Sequence, residues 1–136
     1  MFVTNNNKME AKSPSQPIVF QRIEALDVTL QFLIVVLQKT VTCYPIAEII
    51  IKELKELQYE NSRIQSTFGA DAGDDEEYWF EAEEKLNERF ASFVSITIQQ
   101  LEKIIVVYNL RENEGFQPSL LKINFTIEIL KMNGYR

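Results

Sequence analysis

Two Glu-x-x-Glu spacings, Glu53 with Glu56 and Glu81 with Glu84, are the residues of this chain best suited to chemistry. Carboxylates one helical turn apart share a face. Two such faces brought together would offer hard oxygen ligands to Mg²⁺ and so a route to phosphate-chain hydrolysis. The rest of the chain offers catalysis little: it has no histidine, one cysteine and no glycine-rich phosphate loop. Ser–His and Cys–His pairs are therefore excluded, and Cys43, beside Tyr44, reads as a corner thiol rather than a nucleophile. Asp71, Asp74, Asp75, Glu76 and Glu77 lack the alternating ligands, glycine and closing glutamate of an EF-hand loop.

The carboxylate pairs resemble those of all-α nucleotide pyrophosphohydrolases of the MazG type, and the resemblance, confined to these pairs, implies a small Mg²⁺-dependent hydrolase using Glu53, Glu56, Glu81 and Glu84. The helical wheel argues against that reading. Glu77, Glu81, Glu84 and Glu88 fall opposite Trp79, Leu86 and Phe90, so they face water rather than a shared site. No catalytic residue, metal or other cofactor is expected, and the hydrolase stands as the alternative.

Composition narrows the remaining classes. The chain has 136 residues, 46% apolar and 25% charged, a size and balance that suit one soluble domain with a real core. Four glycines and four prolines favour a few long elements over many short strands. The net charge of −6 is concentrated, because eight acids between Asp74 and Glu88 are offset locally only by Lys85. Such a patch repels nucleic acid and attracts a basic protein partner. A single cysteine points to a reducing, cytoplasmic setting. The apolar stretch Leu30 to Leu37 falls far short of the roughly 20 residues of a bilayer span, so no membrane association is expected.

The elements follow from periodicity. Residues 1–16 read as a disordered tail and 17–136 as a single helical domain. Helix one is expected over 17–42, from Pro17 in its first turn and a stripe running from Val19 to Val41. Pro45 opens helix two over 45–60, which Asn61 and Ser62 are expected to stop, and 63–73 reads as a loop. Helix three, 74–110, starts on the capping-box spacing of Asp74 and Glu77 and carries a near-heptad stripe from Trp79 to Tyr108, long enough to kink or project. A polar connection, 111–117, leads to helix four over 118–133. Leu121, Ile123, Phe125, Ile127 and Ile129 also alternate as a strand would, so the all-α antiparallel four-helix bundle with one long helix has an α+β alternative, in which this segment pairs as a hairpin with Ile104 to Tyr108.

Three anomalies point outward from the bundle. Glu53 and Glu83 sit on apolar stripes, where a carboxylate must reach the edge, pair with a base or face a partner. Val28, Phe32, Val35 and Val36 form a second apolar face on helix one, and Leu121, Phe125, Ile129 and Met132 one on helix four. Either helix is central or these faces are covered by another protomer or protein. The expected function is a non-catalytic protein–protein interaction module of adaptor, chaperone or inhibitor type. Its partner-binding surface would be Glu77, Trp79, Glu81, Glu83, Glu84 and Glu88, with homodimerisation through Val28, Phe32, Val35 and Val36. A self-assembling structural protein is the third reading.

Overall fold

Pro17 falls in the first turn of α1 (Gln16–Thr40), where its missing N–H leaves no helical bond unmade. The computed structural model describes residues 16–67 and 76–134. Residues 1–15 of the expected tail, and Asp74 of the expected capping box, lie outside the described residues. Along α1, Val19, Ile23, Leu26, Leu30, Leu33 and Leu37 are all buried at three- and four-residue spacing, the stripe its sequence predicts. A corner with Val41 and Tyr44 buried turns the chain, Tyr44 N–H bonding the Val41 carbonyl and Ala47 N–H bonding the Tyr44 carbonyl. Pro45 sits in that corner, immediately ahead of α2 (Ile46–Thr67).

Helix α2 runs seven residues beyond its expected end. Asn61 does not stop it: the side chain is fully buried, and its Nδ2 donates to the Ile23 carbonyl of α1 at 2.9 Å while Gln65 Nε2 donates to its Oδ1. An asparagine is a helix stop only when its amide bonds locally, and here the amide is used between helices. Ser66 and Thr67 hydroxyls close the last turn on the Arg63 and Ile64 carbonyls, so residues 63–67 of the expected loop are helical.

Helix α3 (Glu76–Val107) has 32 residues and is about 48 Å long at 1.5 Å per residue. It ends in a Schellman motif: Asn109 takes a φ of 57°, its N–H bonds Val106 O, and Leu110 N–H bonds Ile105 O. Leu110 and Ile105 are both buried, the apolar contact that accompanies this cap. The helix therefore stops at Val107 rather than 110. A 3₁₀ turn (Glu114–Phe116), held by Asn113 Oδ1 accepting from Gly115 N–H, leads into α4 (Gln117–Gly134) with Pro118 in its first turn. Ile123, Thr126, Ile127 and Leu130 bury one face of α4, so the strand alternative gives way to helix. The described residues contain four α-helices and no strand.

Each helix packs on its neighbours in chain order, α4 closes on α1, and α1 also meets α3. The result is an up-down-up-down bundle. Three contacts set the register. Asn61 ties α2 to α1, the Thr126 hydroxyl lies 2.8 Å from that of Thr40 and ties α4 to α1, and Gly134 at the end of α4 lies against Val94 of α3. Among the described residues α4 ends at Gly134 beside Val94, so the first part of α3 lies beyond that end, and there Glu83 reaches Arg22 of α1. By length and composition α3 is also the one described helix that could cross a membrane, although polar residues interrupt its apolar ones. Here Phe90, Val94, Thr97, Leu101 and Ile105 are turned into the bundle.

Candidate functional site

The chemistry-bearing side chains do not converge. Glu53 is exposed at the rim of a groove between α2 and α3 that Arg89 also lines. Glu56 shares a neighbouring depression with Lys52, Lys55, Glu60 and Arg89, and Glu81 lines a cleft of about 220 Å³ with Arg63, Lys85 and Arg89. Bases interleave the acids. Among the described residues no group of three or more carboxylate or thiol side chains is placed to hold a metal ion. Arg63 bonds Glu60 and, with Arg89, holds its carboxyl below the usual glutamate range, against a smaller opposing effect of burial.

Glu77, Glu81, Glu84 and Glu88 are all exposed, and their three- and four-residue spacing sets them along one side of α3. They occupy the stretch that extends past α4. Two members of the expected partner surface lie elsewhere. Trp79 is completely buried, with its ring edge-on to Tyr78 at 4.7 Å between centroids, so the indole belongs to the core and cannot anchor a partner. Its position on the same stripe as Leu86 and Phe90 carries that signal. Glu83 pairs with a base: Arg22 Nε donates to Oε2 at 2.5 Å and Arg22 Nη2 donates to Oε1 at 2.6 Å. That pairing holds the Arg22 guanidinium more firmly charged.

The second apolar faces divide. Val28, Phe32 and Val35 are exposed on α1, whereas Val36, expected among them, is buried. It lies one turn from Thr40, which bonds α4, so the side of α1 that turns to α4 takes it in. On α4, Leu121, Phe125 and Met132 are exposed and Ile129 is partly buried.

The groove between α2 and α3 is a feature that periodicity does not reveal. Ile46, Ile49 and Gln100 are shared by two adjoining hollows of about 390 and 370 Å³, which makes them one trough. Leu57, Phe93 and Ile96 line its upper part and Ile104, Val107 and Tyr108 its lower part. Ile49 and Ile96 are more than half exposed. Glu53 stands on the α2 wall; Arg89 and Lys103 stand on the α3 wall. At the lower end Tyr44 is buried edge-on to Tyr108, and burial raises its hydroxyl pKa against a smaller lowering by Ser119. The Cys43 thiol is exposed at the same corner. Comparison with protein-family models, with curated proteins and with solved structures finds no match.

Proposed function

We propose that this chain is a non-catalytic protein–protein interaction module, of adaptor, chaperone or inhibitor type, that offers the acidic side of α3 to a basic partner and works as a homodimer. One observation carries the reading: Glu77, Glu81, Glu84 and Glu88 stand exposed in a row on the part of α3 that extends past α4. Four carboxylates on a rigid helix make a field that steers a cationic surface toward them and sets its orientation. Trp79 and Glu83 support the surface from behind, one filling the core and the other tying α3 to α1. The exposed thiol of Cys43 fits a reducing, cytoplasmic setting.

The reading is tested by reversing Glu77, Glu81, Glu84 and Glu88 to lysine together and comparing what the two immobilised proteins capture from a cell lysate at low and moderate salt. The basic proteins held by the natural chain are expected to be lost from the variant and to elute early as salt rises. An identical captured set would sink the reading. The homodimer uses one of the apolar surfaces left exposed, among them Val28, Phe32 and Val35 of α1.

A further inference from the structure

Resting on the homodimer of that reading, we infer that a second copy of this chain fills the α2/α3 groove, paired about a twofold axis running along the groove. The geometry of a two-walled trough carries this. A twofold axis parallel to the trough keeps every residue at its own level and sets α2 of each copy over α3 of the other. Residues that face each other across the groove in one chain then face each other across the dimer. Glu53 and Arg89 line the same hollow, with Arg89 about one helical turn above Glu53 in the antiparallel pairing that sets Ile49 beside Ile96, and the arginine's length spans that offset to the partner copy's Glu53, twice over. Ile49 and Ile96, which also share that hollow, meet in the same way and leave water. An axis across the trough would instead stack α2 on α2 and oppose like charges.

Arg89 also lines the hollows that hold Glu56, Glu60 and Glu81, but it is closed on none of them. Among the described residues neither Glu53 nor Arg89 has an ion pair within the chain, although Arg89 feels Glu60. The trough follows α2 from Ile46 to Leu57, about 17 Å at 1.5 Å per residue, or three turns of packed helix from each copy. Lys103 lies at the rim, where its stem covers apolar surface and its amine stays in water. The outer side of α1 is the competing surface, since Val28, Phe32 and Val35 stand between exposed Glu24 and Lys39 on one face, and Phe32→Glu decides between the two.

The test is solution mass by light scattering on the full chain, with helicity checked by circular dichroism. The natural protein is expected at twice the 15.9 kDa of the chain. Glu53→Arg and Arg89→Glu should each run as monomers, since each sets like charges against each other at both symmetry-related contacts. Mixing the two variants should restore the dimer, because every contact in the mixed pair is again between opposite charges. Phe32→Glu should remain a dimer. A monomeric natural protein, a dimer that survives Glu53→Arg but not Phe32→Glu, a mixture that stays monomeric, or open-ended larger species would each overturn the inference. Partner capture by the Glu53→Arg variant separates this from the reading it rests on: capture through the acidic side of α3 stands or falls independently of where the copies meet.

Discussion

Arg22 of α1 and Glu83 of α3 form a two-pronged ion pair where α3 extends past α4, with the glutamate side chain 13% exposed and the arginine 42%. Glu83 answers its place on an apolar stripe by bonding, where Glu53 answers it by standing at an edge, and the bond joins helices that a complete four-helix layer would set diagonally apart. The arginine's exposure places it near surface pairs in strength, and the forked geometry raises it somewhat. A double-mutant cycle with Arg22→Met and Glu83→Gln is expected to give a coupling of about 1 kcal/mol. Urea unfolding measures it, and a coupling near zero would show that the pair is incidental.

Trp79 is the chain's only tryptophan, so its fluorescence reports one place. Emission should be blue-shifted and resist quenching by iodide until the protein unfolds. Trp79→Ala removes the largest fully buried side chain and should cost about 3–5 kcal/mol. Ready quenching in the folded state would return the indole to the surface.

Asn61 donates from a fully buried site to the backbone of α1. Asn61→Asp turns that donor into an acceptor facing the Ile23 carbonyl and should destabilise by about 3 kcal/mol or more. Asn61→Leu keeps the volume and should cost less. Equal midpoints in urea for the two variants would contradict the interhelical role.

Tyr44 supplies a pH dependence. Its folded pKa is raised above the ordinary tyrosine value of 10.0, chiefly by burial, so the unfolded chain loses this proton first as pH rises. The stability it contributes is whole below pH 10 and falls as pH climbs through the raised folded value. Tyr44→Phe should flatten that alkaline decline in a thermal unfolding series. A decline of unchanged steepness would assign it to other groups.

Much of this architecture was legible in residue spacing. The stripes on α1 and α3 and the start of α4 followed from apolar period and proline, because those cues act within one helix. What failed were residues whose role is set from another helix. Asn61 and Ser62 looked like a stop because the carbonyl that Asn61 bonds is 38 residues away. The alternation from Leu121 to Ile129 looked like a strand because α4 carries two apolar sides at once, Ile123 and Ile127 inward and Leu121 and Phe125 outward. Val36 reads as part of an outer face until the side of α1 that turns to α4 takes it in, whereas the burial of Trp79 is already written in its place on the α3 stripe. The groove had no signature at all, since a gap between α2 and α3 belongs to neither sequence.

The shorter α4 gives the molecule ends of unequal stiffness. Among the described residues four helices brace one another below Val94 and three above it, held by Asn61, Trp79 and the Arg22–Glu83 pair. Opening there disrupts fewer contacts, so backbone amides from Tyr78 to Leu86 should exchange with solvent sooner than those from Leu101 to Ile105. The acidic row stands on that looser end, and a protein bound along it would act as the missing fourth brace, slowing exchange at core amides it never touches.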